Sequence, residues 1–255
     1  MYSNIFDSHA HYDDEQFDSD RDGLLSSFEQ NGVSGVICCG VNAESSAAAL
    51  ALSEKYGFIF AAVGFHPLNL DDYYEGALEK IKELSKNAKC VAIGEIGLDY
   101  HYEKESKARQ IRLFEQQLAL AAELNLPVII HDREAHEDTL NLIREYRPRG
   151  VVHCFSGSAE TAAEIIKAGM YIGFGGAVTF KNAVKPCEAA KAVPDSRLLI
   201  ETDAPYMSPV PCRGKRCDSR LIPSTAEKLA QIRGCSAQQI LDLTAANARK
   251  LFNIW

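Results

Sequence analysis

The sequence predicts an α/β fold, a (β/α)8 TIM barrel with additional C-terminal helices. Eight short apolar runs of strand type recur along the 255 residues, and helical periodicity fills most of the segments between them. This alternation is typical of βαβ units with parallel strands. Eight units in roughly 200 to 250 residues suit a closed barrel, whereas a doubly wound open sheet usually has fewer strands.

The eight strand runs lie at residues 4–6, 35–39, 58–63, 90–93, 127–130, 151–152, 171–174 and 198–200. Amphipathic helices are predicted between them at 18–30, 44–56, 74–86, 104–124, 134–146 and 159–168. An irregular loop, 204–222, then leads to two further helices at 223–232 and 236–252, the latter with Ser236 as its N-cap. Because no linker or low-complexity tract is visible, we expect one domain over 1–255.

The composition is that of an ordinary globular chain, 46% hydrophobic and 24% charged. No apolar run approaches the roughly 18 residues of a membrane span, and acidic residues interrupt the opening segment. We therefore expect a cytoplasmic, monomeric protein without a membrane partner. Most of the eight cysteines are expected to be reduced core residues, and Cys212 and Cys217 to be free thiols in a loop.

The net charge of −8 argues against a broad surface for duplex nucleic acid, since nonspecific affinity comes from Lys and Arg that neutralise phosphates. Any contact with nucleic acid must then be local. The visible basic cluster is Arg213, Lys215 and Arg216, in the loop after the eighth strand. A solvated loop is the alternative interpretation of this cluster.

Histidine and carboxylate side chains recur where the predicted strands end. Such side chains are the usual ligands of hydrolytic Zn and Mn, and a buried carboxylate is costly without a cation. In a TIM barrel the C-terminal ends of the strands form the active site, so these residues should converge. The predicted metal ligands are His9, His11, Glu95, His131, His153 and Asp203.

Three further residues are predicted to contact substrate at the same end of the barrel. His66 follows the third strand in G-F-H-P and is not needed for coordination. Arg133, two residues after His131, could hold a phosphate or carboxylate, or could instead pair with an acid at the start of the next helix. Ser156 belongs to a polar turn that could present N–H groups to an anion.

The ordered motifs of this chain resemble the TatD family of metal-dependent hydrolases, within the amidohydrolase-like barrels. The motifs are D-S-H-A-H, G-F-H-P, G-E-I-G-L-D-Y, P-V-I-I-H-D-R-E-A, H-C-F-S-G, Y-I-G-F-G-G, L-L-I-E-T-D-A-P-Y, R-G-K-R and T-A-A-N-A-R-K-L-F. The resemblance runs from Asp7 to about Arg216 and resumes at Thr244. One departure follows R-G-K-R, where Cys217 and Asp218 replace the usual N-E and the next proline is delayed to Pro223.

The resemblance implies two divalent ions, with His9, His11 and Asp203 on one, His131 and His153 on the other, and Glu95 shared. Zn, Mn and Mg are the candidates for the metal. The implied activity is that of a 3′-to-5′ deoxyribonuclease with some action on RNA. The implied partner is therefore nucleic acid, bound at strand ends or short segments.

We interpret the chain as a two-metal phosphodiesterase in which Asp203 also serves as general base, and in which the phosphates contact His66, Arg133, Arg213 and Arg216. The same ions could instead activate a carbonyl, as in an amidohydrolase or an esterase that deacylates mischarged aminoacyl-tRNA. A metal-bound scaffold without chemistry is a third hypothesis, and the complete ligand set argues against it.

Overall fold

The protein, described over residues 2–255 by a computed structural model, has eight parallel strands around a nearly closed barrel. Each strand pairs with the next in chain order. The strands are β1 Ile5–Ala10, β2 Val33–Cys39, β3 Ile59–Val63, β4 Cys90–Asp99, β5 Val128–Arg133, β6 Gly150–Val152, β7 Tyr171–Phe174 and β8 Leu198–Ile200. This arrangement confirms the predicted (β/α)8 fold.

The helices lie between the strands and after the last one. They are α1 Arg21–Ser26, α2 Ala43–Lys55, α3 Ala77–Leu84, α4 Lys107–Leu124, α5 His136–Tyr146, α6 Ala159–Lys167, α7 Val184–Ala192, α8 Ile222–Arg233 and α9 Ala237–Phe252. The predicted first helix, 18–30, is too long, because α1 begins at Arg21 and ends at Ser26 and a separate 3₁₀ turn follows at Glu29–Asn31. Helix α7 was not predicted. Within residues 2–255 there is no helix of the length and apolarity that a membrane crossing needs.

Strands β1, β4 and β5 continue beyond their predicted ends, so His9, Glu95 and His131 lie within strands rather than after them. Two of these strands are irregular at the ligand positions. From Asp7 to Ala10, β1 is three residues long where the paired segment of β2 is two residues long, so β1 contains one extra residue. Around Glu95, β4 likewise contains one extra residue relative to β5. Such bulges turn side chains that a regular strand would send elsewhere.

The seam between β1 and β8 is closed by a few specific bonds rather than by a full ladder. The backbone N–H of Asp203 donates to the carbonyl of His9 at 3.0 Å. Buried Asp7 accepts hydrogen bonds from the backbone N–H and the hydroxyl of Thr202, at 2.9 and 2.6 Å, and from the hydroxyl of Ser219 at 2.7 Å. This polar network fixes two ligand-bearing strands relative to each other.

Helix α9 packs across the N-terminal end of the barrel. Its apolar residues Leu251 and Phe252 share a buried cluster with the inward-facing Phe6 and Ile37. The side-chain amide of Asn247 donates to the carbonyl of Leu198 at 2.9 Å, at the start of β8. With this end filled by apolar side chains, the polar residues gather at the opposite, C-terminal end.

Candidate metal centre

The six predicted metal ligands meet in one buried cluster at the C-terminal end of the barrel. Their donor atoms form three overlapping groups, each within 4.8 Å: His9, Glu95 and His153; His9, His11 and Asp203; and Glu95 and His131 together with His66. The bulge in β4 places Glu95 at the centre, 2% exposed. Residues up to 194 positions apart in the sequence, His9 and Asp203, therefore form a single site.

Glu95 divides its two carboxylate oxygens between two sets of histidines. Oε1 lies 2.8 Å from Nδ1 of His131 and 2.8 Å from Nε2 of His153. Oε2 lies 3.3 Å from the Nε2 atoms of both His9 and His11. A carboxylate with one oxygen toward each set has the arrangement of a ligand shared by two cations.

Asp203 completes the set on the β1 side. Its Oδ1 lies 3.5 Å from Nε2 of His9 and 3.6 Å from Nε2 of His11. The side chain is 17% exposed, whereas that of Glu95 is only 3% exposed. Asp203 is therefore the carboxylate of the cluster that an entering molecule can reach.

Hydrogen bonds on the far side of the rings determine which nitrogen faces the cluster. Nδ1 of His11 lies 2.7 Å from the carbonyl of Cys39, which can only accept, so Nδ1 donates there and Nε2 faces the cluster. Nε2 of His131 lies 3.0 Å from Oδ2 of Asp99, which leaves Nδ1 facing Glu95. Carboxylate and carbonyl partners of this kind orient histidine ligands in metal sites.

Two buried carboxylates behind the cluster were missed in the sequence analysis. Asp99 orients His131, and Glu201, fully buried, places Oε1 3.5 Å from Nδ1 of His153. Glu201 also accepts a short hydrogen bond from the backbone N–H of Cys154. The signal was present in G-L-D and L-I-E-T-D, because an acid in an otherwise apolar strand needs a buried partner.

The carboxylates of the cluster are held in their ionised forms. Burial alone would raise the pKa of Glu95, but the surrounding histidines, His153 foremost, bring that pKa well below its ordinary value. Burial likewise opposes ionisation of Asp203, and the hydrogen bond with His11 together with the nearby histidines lowers its pKa. Both acids therefore present negative oxygens to the centre of the cluster.

This donor set suits divalent cations. The Nε2 atoms of His9 and His11 lie 3.0 Å apart, and the Nδ1 of His11 is already committed to Cys39. Nitrogen and carboxylate oxygen atoms thus face one another in a buried space, which is unfavourable without a positive charge between them. Without a metal, protons on His11 and His153 supply that charge, because the acids raise the pKa of both rings against the effect of burial. Mixed imidazole and carboxylate ligands are those of Zn and Mn.

His66 lies beside the cluster, with Nε2 3.4 Å from Oε1 of Glu95. Its Nδ1 accepts the backbone N–H of Leu68 at 3.1 Å. Burial lowers the pKa of His66, so the ring is neutral and its one proton resides on Nε2. In this tautomer Nε2 is a hydrogen-bond donor that points into the site, and the same atom lies close enough to Glu95 and His131 for the three residues to hold a metal ion.

The remaining predicted substrate residues lie farther out. Arg133, Ser156 and Arg213 are all exposed, the first at the end of β5 and the others in the segments that follow β6 and β8. The predicted alternative for Arg133, an ion pair with an acid of the next helix, is absent from the described residues. Its guanidinium carbon instead lies 4.7 Å from the ring centre of Tyr102.

The loop after β8 requires two corrections. Arg216 is not free for phosphate, because it forms a two-pronged ion pair with Asp20, at 2.8 and 2.6 Å, and covers the ring of Phe17. Cys217 is a free thiol, as predicted, but it is fully buried rather than accessible in the loop, and its backbone N–H donates to the carbonyl of Pro205. Sequence proximity to Arg213 gave no indication that Arg216 turns inward.

Comparisons with known proteins agree with this site. The family model described as TatD related DNase matches residues 6–253. YabD of Bacillus subtilis, an uncharacterised metal-dependent hydrolase, is 44% identical over 98% of this chain and 99% of its own length. The 3′-5′ ssDNA/RNA exonuclease TatD of Erwinia tasmaniensis is 33% identical over 98% of this chain and all of its own.

A solved structure extends the agreement to the whole fold. The crystal structure of YjjV, a TatD homologue from Escherichia coli K12, superposes with a TM-score of 0.94 at 34% sequence identity and covers both chains completely. The family match over almost the whole chain and these relatives lead to one conclusion: the chain is a metal-dependent hydrolase of the TatD family.

Proposed function

We propose that this chain hydrolyses phosphodiester bonds at a two-ion centre, as a 3′-to-5′ deoxyribonuclease that also accepts RNA. One observation carries the two-ion arrangement, namely the division of Glu95 between His131 and His153 on one oxygen and His9 and His11 on the other. Asp203 joins the second set.

Nucleic acid is the substrate that two further observations favour. Relatives from Erwinia tasmaniensis and Musicola paradisiaca, 33% and 34% identical, bear the name 3′-5′ ssDNA/RNA exonuclease TatD. In a chain of net charge −8, the exposed guanidinium groups of Arg133 and Arg213 lie at the end of the barrel that holds the cluster. They offer the local phosphate contacts that an acidic protein needs.

The ions, Zn or Mn by ligand type and Mg as the weaker candidate, would supply Lewis-acid polarisation of the phosphate and ready ionisation of water at neutral pH. Glu95 and the histidines would hold them in a buried, fixed arrangement. Asp203 is ionised and the most accessible carboxylate of the cluster, so we assign it the acceptance of the proton from the attacking water. The Nε2–H of His66 would donate to a phosphate oxygen.

The proposal is tested with protein reconstituted with Zn, Mn or Mg and four labelled substrates: single-stranded DNA, duplex DNA, RNA and aminoacyl-tRNA. A ladder of products shortened from the 3′ end is expected with DNA and, more weakly, with RNA. Elemental analysis should give two ions per chain, and Glu95→Ala should reduce that number. The matched control is Glu160→Ala, which alters an exposed acid at the start of α6.

Deacylation of aminoacyl-tRNA without any cleavage of phosphodiester bonds would contradict the proposal and favour carbonyl chemistry at the same cluster. Full nuclease activity after exhaustive chelation would contradict the two-ion mechanism itself.

A further inference from the structure

Exposed apolar side chains are concentrated at the end of the barrel that carries the metal cluster. Seven large hydrophobic residues of the described chain are exposed, and six lie in the segments that follow β3, β4, β7 and β8. The six are Leu68, Tyr74, Tyr102, Val184, Tyr206 and Val210. Large aromatic groups left in water around a catalytic opening indicate a binding surface rather than incomplete packing.

Two arginine–aromatic pairs stand out on this surface. The guanidinium carbon of Arg133 lies 4.7 Å from the ring centre of Tyr102, and that of Arg213 lies 4.3 Å from the ring centre of Phe180. Within residues 2–255, neither arginine has a carboxylate partner at ion-pair distance, in contrast to Arg216. Each pair therefore combines a flat π surface with N–H groups that remain free for an anion.

The pairs lie on opposite sides of the metal cluster. Tyr102 follows β4 and Arg133 ends β5, whereas Phe180 and Arg213 follow β7 and β8. In a ring of eight strands β4 lies across from β8. The first pair is also tied to the cluster, because Asp99 accepts the backbone N–H of Tyr102 at 3.0 Å and orients His131. The cluster thus lies between two stacking surfaces.

A groove beside Phe180 supplies space on one of these sides. It has a volume of about 430 Å³ and is lined by Ser156, Ala177, Phe180, Asn182, Lys185 and neighbouring residues. Lys185 and Arg213 give this region positive charge in a chain of net charge −8. An anion of the size of a nucleotide segment matches its volume and its charge.

We propose that the Tyr102–Arg133 and Phe180–Arg213 pairs stack the unpaired bases on either side of the scissile phosphate of a single-stranded nucleic acid. The proposal rests on the proposed nuclease function and adds the side chains that select the strand. Bases within a duplex have both faces covered by their neighbours and cannot stack on protein, so the same surfaces would disfavour double-stranded substrates. Stacking on aromatic and guanidinium planes is tolerant of sequence, so all four bases should be accepted.

The test compares a labelled single-stranded oligonucleotide with two copies that lack one base, on the 5′ or the 3′ side of the first phosphate cleaved. The wild-type protein should show kcat/KM lower by roughly tenfold on each copy, the usual effect of one stacked base. Tyr102→Leu should abolish the dependence on the base at one position and Phe180→Leu at the other. Both should raise KM more than they lower kcat.

The matched control is Tyr56→Leu. The Nζ of Lys55 lies 5.5 Å from the ring centre of Tyr56, so this is also a cation–aromatic pair. Tyr56 precedes β3, at the opposite end of the barrel, so this variant should keep the base dependence of the wild-type protein. Thermal unfolding of every variant establishes that it is folded. If the wild-type protein cleaves no oligonucleotide, the nuclease function itself is wrong. If it cleaves the intact and base-free substrates equally, or if either leucine variant keeps the full base dependence, the two-sided stacking is wrong while the nuclease function stands.

Discussion

Glu95 shows how much of this site depends on single residues. Its side chain is almost fully buried and contacts histidines in β1, in β5 and directly after β6, so its charge is balanced only by groups from distant parts of the chain. Asp203 carries the same kind of charge but lies closer to solvent. This difference in exposure is the physical basis for giving the two carboxylates different tasks.

We expect Asp203→Asn to lower kcat by about 10², because an amide cannot accept the proton from water, and general base catalysis typically contributes this much. Turnover should be measured at saturating metal, so that weaker binding of an ion does not enter the result. Near-normal kcat in this variant would remove Asp203 from the proton transfer.

Asp99→Asn tests the orientation of His131. The amide retains the shape of the side chain but loses the charge that holds the ring, so metal affinity should fall 10- to 100-fold, the usual loss for such an outer partner. Asp132→Asn is the matched control, since this buried acid of β5 bonds His136 rather than a cluster histidine. Equal metal affinity in both variants, measured by titration with a chelator, would assign Asp99 a structural role only.

At the residue scale, the sequence could indicate the six cluster residues because strand ends and a barrel together dictate where they meet. It could not separate Arg213 from Arg216, since both belong to R-G-K-R and only the folded chain brings Asp20 to the second. Nor could it find the partner of Asp99, which lies 32 positions away on the adjacent strand. The type of a residue indicates which bonds its side chain can form, whereas the residue that it bonds to depends on tertiary contacts.

At the scale of strands and helices, the bulges in β1 and β4 matter most for the site. An extra residue in each strand turns His9 and Glu95 toward the cluster, and neither irregularity is visible in an apolar run. The prediction of where the strands end failed for a related reason, because polar ligands inside a strand look like the start of a loop. Helix α7 was missed because Pro186 and the glycines before it suggest irregular chain.

Helix α5 offers a test of pH dependence. His136, its first residue, bonds Asp132 at 2.7 Å, and this bond raises the pKa of His136 against partial burial, with Lys185 opposing and Glu134 supporting the shift. A raised pKa means that the stabilisation is complete below the ordinary value of about 6.5 and is lost as pH rises through the higher value. The wild-type protein should therefore exceed His136→Gln in free energy of unfolding by more at pH 5.5 than at pH 8.5. Both values are measured by urea titration in the presence of a chelator.

The double variant Asp132→Asn, His136→Gln supplies the control for that measurement, because it lacks both members of the pair. Its stability relative to Asp132→Asn alone should vary little with pH. A difference between wild-type protein and His136→Gln that stayed constant from pH 5.5 to 8.5 would show that His136 acts by packing and not by charge.

On the scale of the whole molecule, the chain combines an acidic surface with a few unpaired cations around the opening of the barrel. The net charge of −8 disfavours nucleic acid over most of the surface, so association should depend on Arg133, Arg213 and Lys185 near the site. Such a distribution suits a short segment or a strand end, because only there can a few phosphates meet these cations while the rest of the nucleic acid stays away from the protein.

Salt dependence measures this distribution directly. Each phosphate contact to a single strand contributes about −0.7 to the slope of log kcat/KM against log salt, so a few contacts should give a shallow slope on the order of −2. Arg213→Ala should make the slope less negative by about 0.7, because its guanidinium has no protein carboxylate in the described structure and is free for phosphate. Arg216→Ala is the matched control three residues away, and it should leave the slope unchanged because Asp20 already occupies its guanidinium. Equal effects of the two substitutions would mean that the ion pair with Asp20 opens when nucleic acid binds, whereas no effect of Arg213→Ala would place the phosphate contacts on the β4 and β5 side, at Arg133.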